Sequence, residues 1–161
     1  MYKLHIHGDD VIAKVEPEVY GHFTSHIGGV FYDGIWVGED SKIPNIRGLR
    51  LELIEKMKEI NAPVIRWPGG CFAETYDWRD GIGPRENRPT RINWWQGNDG
   101  RYERNEVGTH EFIDFCRLCG AEPYFAANIT STTPLDIRDW IDYCNSPAQS
   151  TSMARLREEN G

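Results

Sequence analysis

Cysteine is scarce in this chain, with four in 161 residues, at positions 71, 116, 119 and 144. So few and scattered thiols do not look like a disulfide framework, and free thiols fit a reducing compartment. Long apolar runs are also lacking. No stretch approaches the roughly 20 residues needed to cross a bilayer, and residues 1–30 lack the basic, apolar and small-residue sections of a signal peptide. The expectation is a cytoplasmic protein with no membrane partner. Basic residues are outnumbered, 18 Lys and Arg against 25 Asp and Glu for a formal net charge of -7, and they form no run. Nucleic acid binding rests on clustered cations that neutralise phosphates, so this balance argues against a nucleic acid partner and is compatible with a neutral polymer. No glycine-rich dinucleotide fingerprint or phosphate loop follows any expected strand.

Aromatic residues are plentiful. Six Trp, seven Tyr and six Phe within a 39% hydrophobic composition can form a substantial core for one domain. The chain is organised around Val64-Ile65-Arg66-Trp67-Pro68-Gly69-Gly70-Cys71-Phe72, which continues through Tyr76-Asp77-Trp78-Arg79-Asp80-Gly81-Ile82-Gly83-Pro84. A short β-branched run is stopped by Pro-Gly-Gly and opens into a long loop of aromatics and charges. Buried parallel strands end at working surfaces in this way, so chemistry is to be sought at the carboxyl ends of strands.

Taken in order, Tyr2–His7 and Val11–Val15 flank a Gly8-Asp9-Asp10 turn and predict a β-hairpin, one that needs a sheet completed elsewhere. Tyr20–Ile27 predicts the first strand of the main sheet, and Gly28–Arg47 a loop too long to be idle, forming part of the mouth of a site. A helix is expected over Gly48–Ile60, with Leu49, Leu53, Met57 and Ile60 as its apolar stripe, then a strand over Val64–Trp67. Thr109 is the expected N-cap of a second helix that buries Phe112, Phe115, Cys116 and Cys119 and ends at Gly120. A strand over Tyr124–Ile129 follows. The third helix has Thr133 as N-cap, Pro134 at N1 and Asp136 at N3, with Ile137, Trp140, Ile141 and Cys144 buried. Met153–Glu159 predicts a short further helix. Strand alternates with helix, which is α/β architecture with right-handed connections. Three units alone fit an open doubly wound sheet or an incomplete barrel, and the missing dinucleotide fingerprint favours the barrel.

The wording R-W-P-G-G-C-F, followed by D-G-I-G-P, resembles the glycoside hydrolase family 51 α-L-arabinofuranosidases, and G-H-F-T-S-H-I-G-G-V-F-Y-D-G-I-W-V-G-E-D resembles that family's first strand and loop. The resemblance covers most of the chain. It implies the first three to four units of a (β/α)8 TIM barrel over residues 20–161, with residues 1–19 joining an accessory β-sandwich. It further implies the amino-terminal part of a retaining, exo-acting enzyme whose acid/base and nucleophile glutamates lie beyond Gly161, so that this part alone is inactive. An arabinose-containing oligosaccharide or polysaccharide is the implied substrate, a homo-oligomer the implied assembly of the whole protein, and no metal or organic cofactor is implied. The alternative of another class is a non-catalytic carbohydrate-binding or self-associating half barrel, whose unpaired edge strands favour association.

Four residues are carried forward as substrate-binding candidates. Arg66 emerges at a strand end, where a fixed guanidinium orients a carboxylate or donates to sugar hydroxyls, the bland alternative being a rim salt bridge. By resemblance it lies in the sugar pocket. Cys71 matches a sugar-contacting position; a catalytic thiol needs a nearby base, which no local motif supplies. Trp95, beside Trp94 and Gln96-Gly97-Asn98, offers an aromatic face to a sugar ring and matches a position on the leaving-group side. Ser25 stands where most members have glutamate, a departure that bears on sugar affinity. His22 and His26 share a strand face and are rim candidates. Cys116 and Cys119 form C-x-x-C inside a helix pattern and are expected to be core, not a zinc site. Glu74, Asp77 and Asp80 invite comparison with the carboxylate pair of a glycosidase, but three acids close together in a polar loop are expected to be solvated or to pair with Arg79 and Arg85, and they are not read as catalytic. Asn128 is expected at the same rim, positioning loops.

Overall fold

The computed structural model of the chain describes residues 2–95 and 102–161. In chain order these form β1 (His22–Phe23), β2 (Asn45–Ile46), β3 (Leu49–Arg50), α1 (Leu51–Glu59), β4 (Val64–Trp67), β5 (Arg91–Ile92), β6 (Tyr102–Glu103), α2 (Thr109–Cys119), β7 (Glu122–Phe125), α3 (Pro134–Asn145) and α4 (Ser152–Glu159). Single-turn 3-10 helices occupy Pro17–Tyr20, Ala73–Thr75, Trp78–Gly81 and Arg85–Asn87. Strands β1, β4 and β7 make one parallel sheet in that order, with Ile65 opposite both His22 and Pro123. β2 pairs with β3, and β5 with β6, as two antiparallel ribbons.

β4 occupies the residues its β-branched run predicted, and its side chains alternate as a strand requires. Ile65 and Trp67 are fully buried toward the helices, while Val64 and Arg66 are half-buried on the other face. The Trp67 ring stacks on Phe112 of α2 at 5.2 Å and meets Tyr76, Phe125 and Trp140 edge-on at 5.2, 6.0 and 6.2 Å. Offset and edge-on contacts of this kind add to the stabilisation that burial alone provides.

Helix ends follow local chemistry. The Thr133 hydroxyl caps α3 by accepting from the Asp136 N–H, and the Asp136 carboxylate accepts from the Thr133 N–H at 2.9 Å, with Pro134 at the first position. Gly120 ends α2 at φ +76°, a left-handed position that glycine takes without Cβ strain. The two glycines Gly81 and Gly108 pass so closely that a Cβ on Gly81 would lie 2.9 Å from the Gly108 Cα, which explains the first glycine of D-G-I-G-P.

Several expectations are corrected. Residues 2–16 form no hairpin: a turn closed by Asp10 N–H on His7 C=O at 3.3 Å is present, but the side chains are exposed and no strand among the described residues flanks them. The strand expected over Tyr20–Ile27 is cut to His22–Phe23 by the 3-10 turn before it, although Thr24 and His26 N–H still bond Arg66 and Pro68 C=O at 2.8 and 3.0 Å. Gly28–Arg47 is a loop as expected up to the short β2 at its end, and it folds back through Phe31, Tyr32, Ile35 and Trp36 into the core. α1 starts at Leu51, not Gly48, because Leu49 and Arg50 pair with β2, and Ile60 is exposed while Ile54 takes its place in the buried stripe. Gly108, not Thr109, is the N-cap of α2. The Thr109 hydroxyl is buried one position later, accepting from Trp140 Nε1 at 3.0 Å. β7 begins two residues before Tyr124 and ends at Phe125, since its partner β4 ends at Trp67. On α3, Tyr143 is buried and Ile141 exposed. α4 matches its expected position. No helix among the described residues is long and apolar enough to cross a membrane.

Because Phe112 is fully buried against Trp67 and Phe125, Phe112→Ala is expected to destabilise the fold by about 3–5 kcal/mol. A urea denaturation midpoint checks this, and a loss below ~1 kcal/mol would refute the hub role of the aromatic cluster.

Candidate functional site

The carboxyl ends of β1 and β4 converge on the Pro68-Gly69-Gly70 turn. Arg66 leaves β4 on the face away from the helices, its guanidinium 4.9 Å over the Phe23 ring, and its Nη2 donates to the Gly69 carbonyl at 2.7 Å. That carbonyl is its one hydrogen-bond partner among the described residues, which leaves further N–H groups of the fork available. The glycines serve this approach. A Cβ on Gly70 would stand 3.2 Å from Arg66 Nη2, and one on Gly69 would stand 2.9 Å from Ser25 Oγ. Ser25 and Arg66 are thus brought to the two sides of one turn, and Cys71 continues it as an exposed residue.

Trp95 reaches the same end through a relay. Its N–H donates to Asn93 Oδ1 at 3.0 Å, and Asn93 Nδ2 donates to the carbonyl of His26, the residue after Ser25, at 2.9 Å. Trp94 and Trp95 are both exposed. Gln96-Gly97-Asn98 lie outside the described residues. Asn128 ends its segment buried near this rim, with Oδ1 accepting from Thr130 and Ser131 N–H and Nδ2 donating to Tyr76 C=O and Ser131 Oγ, a loop-positioning arrangement.

His26 is not at the rim. It is wholly buried between the Phe31 and Phe72 rings, at 4.6 and 4.7 Å. Trp67 Nε1 donates to His26 Nε2 at 2.7 Å, and since an indole can only donate, the network assigns the ring hydrogen to Nδ1. That Nδ1–H faces Glu103 Oε2 at 2.7 Å. Glu103 also accepts from the Tyr32 hydroxyl and, at 2.8 Å, from the Asn105 N–H. Burial opposes its charge, but the hydrogen bonds from His26, Tyr32 and Asn105 outweigh it and hold the carboxyl below its ordinary range. Burial, with the neighbouring Glu103 charge, pushes the Tyr32 phenol up. Sequence reasoning missed Glu103, Asn93 and Tyr32. Glu103 sits in a run of charges that reads as solvated surface, and no spacing signals a buried acid.

Two of the three acids of the loop after β4 have structural partners for their carboxylates. Asp77 caps the Trp78–Gly81 turn through the Arg79 N–H at 3.0 Å and lies 3.9 Å from the Arg79 guanidinium. Asp80 pairs with Arg91 at 2.7 Å, where Arg79 or Arg85 had been expected. Glu74 is exposed and contributes its backbone carbonyl to Ser131. Arg79 bonds Asp136 and Asp139 of α3, and Arg85 joins Arg88 on Glu111 of α2. Burial works against the Glu111 charge, yet Arg88 and the Gly108 N–H hold it below its ordinary range. Cys116 and Cys119 are core residues whose thiols burial pushes up to about 12 and about 11.

Residues 56–161 match the model of the alpha-L-arabinofuranosidase 1 domain. The chain belongs to the alpha-L-arabinofuranosidase family. It is 46% identical over 156 residues to an intracellular exo-alpha-L-arabinofuranosidase of Bacteroides ovatus, covering 97% of this chain and 30% of that protein. Alpha-L-arabinofuranosidase C of Emericella nidulans is 40% identical over 157 residues, with the same two coverages of 97% and 30%. Among solved structures, the GH51 arabinofuranosidase from Xanthomonas axonopodis pv. citri superposes with a TM-score of 0.89 at 43% identity, over 96% of this chain and 31% of that one. The arabinofuranosidase of Thermotoga maritima in its arabinose complex gives a TM-score of 0.80 at 43% identity, over 88% and 28%. The chain therefore spans about three-tenths of the length of these arabinofuranosidases.

Two measurements test this geometry. Glu103 has a depressed folded pKa, so its contribution is fully present above the unfolded value of about 4.3 and is lost as pH falls through the folded value. The stability advantage of the unaltered chain over Glu103→Gln is expected to narrow in that acid range, and urea midpoints for both chains check it; a pH-independent gap contradicts the assignment. With a thiol-reactive disulfide reagent near neutral pH, exposed Cys71 is expected to react first, with Cys116 and Cys119 protected until unfolding.

Proposed function

We propose that this chain is the amino-terminal part of a retaining, exo-acting α-L-arabinofuranosidase that removes terminal arabinofuranosyl groups from arabinose-containing oligosaccharides or polysaccharides. The observation that carries the reading is the gathering of Ser25 and Arg66 on the Gly69-Gly70 turn at the carboxyl ends of parallel strands, in a chain 46% identical to an exo-alpha-L-arabinofuranosidase. Active sites of (β/α)8 barrels lie at that end of the strands. Residues 20–161 are read as the first three to four units of such a barrel, and residues 1–19 as a segment that joins a β-sandwich.

In this reading Arg66, Cys71, Trp95 and Ser25 line the sugar pocket. Arg66 donates to sugar hydroxyls or orients a carboxylate through the N–H groups that Gly69 leaves available. Trp95 offers its exposed face to apolar C–H surfaces of a ring. Ser25, short and uncharged, gives the pocket hydroxyl chemistry at a position where a carboxylate would bring charge. The two carboxyls of a retaining mechanism stand about 5–5.5 Å apart, one attacking the anomeric carbon and one protonating the departing oxygen. Both are assigned to the part of the enzyme that follows Gly161, so the present chain binds and positions without completing chemistry. Localisation in the cytoplasm and homo-oligomeric assembly belong to the same proposal, the first supported by the intracellular description of the Bacteroides ovatus relative.

A second reading is favoured by one observation: Phe23 and Tyr124, which flank Arg66 in the sheet register, are both exposed on the uncovered side. This suits a half barrel that self-associates or binds carbohydrate without catalysis.

The test compares this chain with the product of the full reading frame on an aryl α-L-arabinofuranoside. Hydrolysis by the longer product and none by residues 1–161 is expected, with Arg66→Ala in the longer product lowering kcat/KM about 10- to 100-fold for a lost charged hydrogen bond. A longer product without activity, or one indifferent to Arg66→Ala, would overturn the reading.

A further inference from the structure

Both arms of the β5–β6 ribbon are fastened to one residue. On the β5 side, Asn93 donates Nδ2 to the His26 carbonyl at 2.9 Å; on the β6 side, Glu103 accepts from His26 Nδ1–H at 2.7 Å. All three are essentially sealed from solvent, at 0% for His26, 2% for Asn93 and 1% for Glu103. The ring cannot turn over without cost. Its Nε2 holds the Trp67 indole N–H at 2.7 Å, so a flip would bring ring C–H groups to both Glu103 and Trp67, taking the donor from one and the acceptor from the other and leaving each a buried unmet group. The stacked Phe31 and Phe72 rings restrict the imidazole further. Trp95 is coupled to this arrangement through the other end of the Asn93 amide, its N–H donating to Oδ1 at 3.0 Å.

We propose that His26 is a positioning residue that, together with Asn93 and Glu103, clamps the β5–β6 ribbon and so sets where Trp95 stands relative to Ser25 and Arg66. The clamp acts on recognition of the sugar-bearing substrate, not on bond cleavage, because none of its three polar side chains reaches the exposed surface. This rests on the arabinofuranosidase reading above for the identity of the substrate, but not for the existence of the clamp. The chemistry is that of a rigid support. One hydrogen bond ties the backbone of Trp95, whose own side chain is exposed, to a buried Asn93 that is itself held by His26, and a misplaced aromatic face weakens binding before it alters the reacting groups. His26 contributes to both arms, one through its ring and the other through its backbone. The backbone bond survives any change of side chain at 26, so the two arms are separable by mutation.

The experiment uses the enzyme encoded by the full reading frame and two variants, Asn93→Ala and Glu103→Gln. Asn93→Ala breaks the relay to Trp95 and leaves the aromatic stack around His26 intact, so it is the variant that keeps the test decisive if Glu103→Gln folds poorly. Hydrogen–deuterium exchange is read over residues 91–95 and, as internal reference, over α2. Kinetics are read on an aryl α-L-arabinofuranoside. The expected result for Asn93→Ala is exchange over 91–95 faster by about 10-fold with α2 unchanged, and KM raised about 10-fold with kcat within about 2-fold. A merely structural role would speed exchange in α2 as well and would not separate KM from kcat. Unchanged exchange over 91–95 overturns the clamp. Faster exchange with unchanged KM overturns its role in recognition. An unaltered enzyme that hydrolyses no arabinofuranoside overturns the function proposed above, and the exchange measurement then decides the clamp by itself.

Discussion

A carboxylate inside an aromatic core is the constraint on which the arrangement turns. Glu103 is almost wholly buried among Tyr32, His26 and the rings around them, and an unpaired charge there would cost several kcal/mol or more. Its acceptors must therefore be filled by fixed donors. His26 supplies one, and Trp67 in turn fixes the tautomer that makes His26 a donor. Since Trp67 is also the centre of the aromatic packing between the sheet and α2 and α3, the polar and apolar parts of the core hold each other in register. Loosening either one releases the other.

The site inherits its geometry from that core. Trp67 faces the helices, so alternation along β4 sends Arg66 to the opposite face. The two glycines that follow let the chain fold back close enough for the guanidinium to reach the Gly69 carbonyl and for Ser25 to lie against the turn. A second set of charges locks the loop beyond: Arg79 onto α3, and Arg85 and Arg88 onto Glu111 at the start of α2. Those pairs join loop to helix, and their partly buried geometry makes them more than exposed surface bridges.

Much of this was legible in the residues. β4 and the end of α2 at Gly120 follow from β-branched content and from the one residue tolerant of a left-handed backbone, and the start of α3 from its Thr-Pro-Leu-Asp cap. Arg66 at the strand end follows from the same logic. What escaped was set by pairing across distance. Leu49 fits a helical stripe and a strand equally well, and only its antiparallel partner Ile46 decides for the strand. His26 and Glu103 are separated by 77 positions, and neither the helical nor the strand period links such residues. Tyr2–His7 alternates as a strand should, yet alternation gives no strand where none of the described residues lies alongside to pair with it.

The spatial order of the main sheet, β1–β4–β7, is also the order of those strands along the chain. Each of these strands therefore adds beside one that precedes it in the chain, and none has to be inserted between two earlier ones. A chain emerging from the ribosome can lay down this sheet edgewise, one strand at a time, with α1 and α2 closing over each new pair. The ribbon-borne Glu103 follows β4 and precedes β7 in the chain, so two of the donors to its buried carboxylate, His26 and Tyr32, lie in segments already laid down before it.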